Sequence, residues 1–145
     1  MSSNTNLNLN LNTRANLESN NTIADPVTNE AVRVVLVAIT KHGAQQVAEL
    51  ARALPQASIC VAEKFSALML GLENPVRAYS GAFRDEIATL FDAFDQVIFF
   101  VSLGAVVRLI APHLKNKDED PGVIVVDDAA QFVIPVLSGH VRPRH

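Results

Sequence analysis

The chain has 145 residues, 49% of them apolar, which is enough for one domain with a single core and too few for two ordinary ones. Twelve Lys and Arg against fifteen Asp and Glu leave a formal charge of -3, so the composition offers no field suited to a nucleic-acid backbone. A single cysteine excludes an internal disulfide and fits a reducing cytoplasm, and no apolar run approaches the roughly 20 residues that cross a bilayer.

Residues 1–30 stand apart in composition. Asn dominates, and Leu alternates with it only at Leu7, Leu9 and Leu11. So few apolar groups do not offset the entropy of ordering so long a segment, and the composition predicts a disordered leader. A transit peptide would want several arginines, and only Arg14 is present. The folded domain is therefore expected over residues 31–145.

Its first element is the apolar, β-branched run VRVVLVAI from Val32, a strand buried on both faces that ends at Thr40, Lys41, His42 and Gly43. Ala44 to Leu54 follows at helical spacing, with Val47, Leu50, Ala51 and Leu54 on one face, and stops at Pro55. Ala57 to Val61 reads as a second strand in which Cys60 is a small buried hydrophobe. From Glu63 to Tyr79 the pattern is weak: Ser66 to Leu72 has room for one or two helical turns before Gly71, Asn74 and Pro75 interrupt it. Helical spacing returns between Gly81 and Phe91, through Phe83, Ile87, Leu90 and Phe91.

The centre of the chain is the run Val97 to Val101, a turn at Ser102 to Gly104, a predicted helix from Ala105 to Leu114, and a second apolar run from Val123 to Val126 that ends in Asp127 and Asp128. A strand, crossover helix and parallel strand of this kind is almost always right-handed. Only DAAQ separates that run from FVIPVL, Phe132 to Leu137, which is too short for another crossover and predicts an antiparallel return. Pro135, lacking an N–H, sends that strand to the sheet edge. The fold expected is α/β: a three-layer Rossmann-like domain with a mostly parallel sheet and a carboxyl-terminal antiparallel hairpin strand.

In such a sheet ligands bind at the carboxyl ends of the strands, which points to the loops at Thr40 to Gly43, Ser102 to Gly104 and Asp127 to Ala129. A helix amino terminus bearing Lys41 and His42 favours an anion. Arg108 falls one turn after Gly104, near the start of its predicted helix, where the macrodipole opposes a cation unless an anion shares the site. A bound carboxylate or Asp127 would satisfy it, and a snorkelling side chain is the alternative. Ser138, Gly139 and His140 adjoin in sequence, which does not make a nucleophile and base pair. His140 is better read as a proton carrier. His113 suits the carboxyl end of its helix. No His, Cys or carboxylate pair has metal-ligand spacing, so no metal site is expected.

The ordered strings VAITKHG, VSLGAVVRLIAPHLKNKDEDPGVIVVDD and FVIPVLSGH together resemble the amino-terminal domain of the CbiG-type cobalamin biosynthesis proteins, the cobalt-precorrin-5A hydrolases of the anaerobic pathway. The similarity covers about Val34 to Val141. It implies opening of the ring-A acetate δ-lactone of cobalt-precorrin-5A and loss of a two-carbon unit as acetaldehyde, giving cobalt-precorrin-5B. By matching motif it implies substrate-binding candidates Thr40, Lys41, Gly43, Gly104, Arg108, Lys117, Ser138 and Gly139, with Asp120 and Pro121 beside them. Catalytic candidates are His140 or Asp127 as base and Arg108 or a loop N–H as oxyanion partner. The partner is a cobalt-corrinoid precursor, whose rim of carboxylates suits cations and N–H donors; the cobalt belongs to the substrate and no further cofactor is implied. The family's pattern continues past SGHV with Gly-Gly-Ala-Asn and a carboxyl-terminal domain, where this sequence reads VRPRH, so it is expected to be a copy cut short after Val141 that needs that domain in cis or trans. A non-catalytic module for an anionic ligand, or an inactive remnant, are the competing expectations.

Overall fold

The computed structural model describes residues 32–127 and 132–139. The expected leader lies outside them. Six strands form one sheet: β1 (Val34–Ala38), β2 (Ser58–Ala62), β3 (Val76–Tyr79), β4 (Gln96–Phe99), β5 (Gly122–Val126) and β6 (Val133–Leu137). Their order is β3-β2-β1-β4-β5-β6, parallel throughout except for β6, which runs antiparallel to β5. This is the α/β architecture expected, edge strand included.

Alternation along β1 shows how the layers are assigned. Val35 and Val37 face one cluster, in which Ile87, Leu90 and Phe91 of helix α2 (Ile87–Ala93) and Val106 and Ile110 of helix α3 (Leu103–Ile110) are buried. Leu36 and Ala38 face the other, with Ala44, Val47 and Ala51 of helix α1 (Lys41–Ala51) and Met69 of the 3-10 turn Glu63–Met69. A strand covered on both faces must be apolar at every position, which is why β1 reads as an unbroken run. Within the first cluster Phe83 meets Tyr79 and Phe99 edge to face, at centroid separations of 5.3 and 6.1 Å.

The weak stretch between Glu63 and Tyr79 holds one strand that the sequence conceals. In β3 only Tyr79 is buried, because this is the outer edge of the sheet and neither face is fully covered. Asn74 does the organising. It is buried, and its Nδ2 donates to the carbonyls of Leu54 at 2.8 Å and Ala57 at 2.9 Å, joining the end of the α1 connection to the start of β3. Gly71, at φ 86, makes the turn that leads there. At the outer edge Arg77 pairs with Glu86 at 2.7 Å.

Two acids lie in the first cluster's interior. Burial foremost, then the Glu86 charge, pushes the Cys60 thiol up to about 12 from 9.0, and burial pushes the Tyr79 hydroxyl from 10.0 to about 12. Both are acids whose folded-state pKa is raised, so their contribution is complete below the unfolded value and is lost as pH rises through the folded one. Unfolding free energy measured in urea is therefore expected to hold steady to about pH 9 and to fall between about pH 9 and 12. Cys60→Ala should flatten that slope; an unchanged slope would remove Cys60 as its source.

A crevice at the reversal of strand order and its family

Strand order runs outward in one direction through β2 and β3 and in the other through β4, β5 and β6, so β1 and β4 flank a topological switch point. α1 leaves the carboxyl end of β1 on one face, and α3 leaves that of β4 on the other. Their first turns border the crevice between. At α1 the Thr40 hydroxyl oxygen accepts from the Gly43 N–H at 3.0 Å, and the Thr40 carbonyl from the Ala44 N–H at 2.9 Å. Lys41 and His42 are therefore the exposed first residues of a helix rather than loop, and Gly43 is buried beneath them.

Gly43 has a specific reason. A Cβ placed there would stand 2.5 Å from the Phe100 carbonyl oxygen and 3.2 Å from the Thr40 hydroxyl, so only glycine lets α1 lie this close to the end of β4. α3 begins differently. Ser102 occupies the cap position without a side-chain capping bond, and Val106 N–H donates to its carbonyl at 3.1 Å. Gly104 is exposed, with nothing within 4 Å of where a Cβ would sit. Neither helix has an acidic residue in its first turn. Two helix dipoles thus point their positive ends at the crevice with Lys41 beside them.

Asp127 forms the third wall, at the end of β5. Its N–H donates to the Phe132 carbonyl at 3.2 Å and its Oδ1 accepts from the Phe132 N–H at 3.1 Å, closing the mouth of the β5–β6 hairpin. From α1, Gln46 Nε2 reaches the Asp127 carbonyl at 3.5 Å. Nothing in the sequence singled out Gln46; its place one turn past a strand-to-helix junction was the available signal.

Arg108 is placed elsewhere. α3 ends at Ile110 and a 3-10 turn, Ala111–His113, takes over, so Arg108 lies in the last turn, where the dipole favours a cation. The argument for a compensating anion near a helix start therefore falls. Arg108 lines an open groove of about 560 Å³ with Arg84, Asp85, Leu109, Pro112 and His113, none of them a residue of the first turns of α1 and α3.

The remaining motif residues gather at the opposite edge. Because β6 runs back along β5, with Val126 opposite Val133 and Val123 opposite Leu137, Ser138 and Gly139 emerge at the amino ends of the parallel strands. A five-residue strand puts about 16 Å between the two edges. There a Cβ on Gly139 would collide with the Gly122 backbone, and buried Asp120 accepts from the Lys115 N–H with both oxygens at 3.1 Å. Lys117 is exposed in the loop that Asp120 closes. Asp95, buried, ties the same edge together by accepting from the Arg33 N–H at 2.9 Å. Thr40, Lys41, Gly43, Gly104 and Asp127 thus lie at the carboxyl ends of β1, β4 and β5, and Ser138, Gly139 and Lys117 at the opposite edge of the sheet. His140 and Asp128 lie outside the described residues. Among the described residues no group of three or more His, Cys, Asp or Glu side chains could hold a metal ion, and no helix is long and apolar enough to cross a membrane.

Residues 85–143, from the turn before α2 through β6, match the family described as cobalamin synthesis G N-terminal. This region belongs to the CbiG amino-terminal family. Over 116 residues the chain is 41% identical to a cobalt-precorrin-5A hydrolase of Priestia megaterium, a match covering 80% of the chain and 30% of that protein. Over 62 residues it is 37% identical to the cobalt-precorrin-5A hydrolase of Salmonella typhimurium strain LT2, covering 43% and 18%. A crystal structure described as a cobalamin biosynthesis protein G homolog from Sulfolobus solfataricus aligns at 27% identity and a TM-score of 0.48, over 74% of this chain and 30% of that one. The chain thus spans under a third of the length of the curated relatives it matches.

The two glycines of the crevice give opposite expectations. Gly43→Ala forces backbone to move and should lower stability by about 1–3 kcal/mol, as overpacking does. Gly104→Ala, in open space on a helix, should stabilise by about 0.4–1 kcal/mol through the unfolded chain. Urea midpoints at constant m-value check both; equal effects would remove the close-approach argument.

Proposed function

We propose that the crevice between β1 and β4 binds the peripheral carboxylates of a cobalt-corrinoid precursor, and that the domain serves the anaerobic route to cobalamin as part of a cobalt-precorrin-5A hydrolase. The observation that supports this most is the pair of helix amino termini, neither bearing an acidic residue in its first turn, with Lys41 at the head of one. Backbone N–H groups, a helix dipole and an ammonium are what a carboxylate rim requires. The names of the relatives supply the substrate class.

Opening a lactone needs a proton acceptor for the attacking water and donors for the oxyanion that forms at the carbonyl. We assign the acceptor to Asp127, whose carboxylate is steadied by the Phe132 N–H at the rim of the crevice. N–H groups of the first turn of α3, beside the exposed Gly104, are assigned the oxyanion. Of the two candidate acceptors, Asp127 and His140, the assignment is to Asp127 because it ends β5 within reach of Gln46 on α1. The cobalt enters with the substrate. Because the match covers 30% of the Priestia megaterium hydrolase, acetaldehyde release is a property proposed for the complete protein, while carboxylate recognition is proposed for this domain.

Cobyrinic acid, a cobalt corrinoid with free peripheral carboxylates, should bind the purified chain, followed through its visible absorption. Affinity should fall as ionic strength rises. Lys41→Glu should weaken it about tenfold, equivalent to about 1.4 kcal/mol. Equal affinity for a fully amidated corrinoid, or no effect of Lys41→Glu, would overturn carboxylate recognition at this crevice. An aldehyde assay on the complete protein with Asp127→Asn should show acetaldehyde release cut by about a hundredfold or more, as loss of a general base does.

A further inference from the structure

We propose that Gln46 is a positioning residue of the crevice, acting through Asp127; the inference rests on the reading just given for that site. β5 is not a neighbour of β1, since β4 lies between them, so a contact from α1 to the end of β5 has to pass over the end of β4. Gln46 makes it, its Nε2 donating to the Asp127 carbonyl at 3.5 Å across 81 positions of chain. It can do so because Gly43, one turn earlier, lets α1 settle against the Phe100 carbonyl. Asp127 then passes the restraint on, its N–H and Oδ1 clasping Phe132 at 3.2 and 3.1 Å.

The arrangement forms a relay of three groups. The amide of Gln46 holds the Asp127 backbone from one side, the Phe132 backbone holds it from the other, and the direction of the carboxylate follows from the two together. A half-buried glutamine contributes a donor without a charge, so it fixes the carbonyl without altering the field that favours an anionic ligand. Gln46 need not touch the ligand to matter. Its effect is to hold the Asp127 backbone in place at the end of β5 while the first turns of α1 and α3 receive the carboxylates.

Two replacements separate this from simple packing. Gln46→Met keeps the length and removes the donor; Gln46→Lys keeps a donor of similar reach. Amide hydrogen exchange should accelerate about tenfold or more at Asp127 and Phe132 in Gln46→Met, with Leu36 and Ile98 in β1 and β4 unchanged, and should return towards the parent rate in Gln46→Lys. Cobyrinic acid affinity should weaken about fivefold in Gln46→Met, whereas Gln46→Lys is read by exchange alone, because its added charge would itself attract the carboxylates. Unchanged exchange at Phe132 in Gln46→Met, or equal acceleration through the whole sheet, would overturn the relay. Altered exchange with unaltered corrinoid affinity would overturn its role in binding. Should the parent chain itself fail to bind cobyrinic acid, the functional reading falls while the exchange measurements still decide the relay.

Discussion

The carboxyl edge depends on how near a helix can come to a strand it does not follow. Gly43 lies against the Phe100 carbonyl with no room for a side-chain carbon between them. Phe100 in turn donates its N–H to Val37 at 2.9 Å, continuing the ladder between β1 and β4 past the end of the regular strand. That one contact sets the height of α1 above the sheet. The Thr40 cap, the outward position of Lys41 and His42, and the reach of Gln46 to Asp127 all follow from it. A glycine in the first turn of a helix is poor for propensity, and here close approach outweighs propensity.

The two ends of the sheet use similar residue types for different ends. At the carboxyl edge, polar groups stand exposed around the first turns of two helices. At the amino edge they are spent on one another: Asp120 on the Lys115 N–H, Asp95 on the Arg33 N–H, and the Asn116 side chain on the N–H groups of Asp118 and Glu119 at 2.9 Å each. Gly139 fits there because the Gly122 backbone occupies the space a side chain would need. An acidic run such as Asp118 to Asp120 looks like a solvated loop by composition, yet its last member is buried and closes the turn. Structural demand on Asp120 and Gly139 is enough to account for their residue types without a ligand.

Much of the fold was legible because the parallel strands are covered on both faces and so spell themselves as apolar runs: β1, β2, β4 and β5 lie where those runs do, within a residue or two. β3 was not, since an edge strand with one buried side chain has no such signature. Both long-loop readings before α1 and α3 began the helices two or three residues late, because Lys41-His42-Gly43 and Leu103-Gly104 look like turn chemistry while being first turns. The early end of α3 mattered more. A helix thought to reach Leu114 put Arg108 near its start; ending at Ile110, it puts Arg108 near its finish, and the electrostatic argument changes sign. The antiparallel return of β6 was read correctly, and carried through it already implied that Ser138 and Gly139 leave the sheet at the far edge. Motif adjacency concealed what strand direction entailed.

β6 has a further consequence for the molecule in concentrated solution. Phe132 and Val133 are more than half exposed, at 62% and 55%, on the outermost strand of an open sheet, a combination that invites a seventh strand from a neighbouring molecule. Pro135 stands opposite Ile124 in the middle of that strand, and the pairing slips by one residue beside it, between Val123 and Ile124. A ring nitrogen without hydrogen and a local irregularity break the row of groups that an added strand would copy. Among the described residues, what ends the ladder on this side thus also disfavours its extension by another copy.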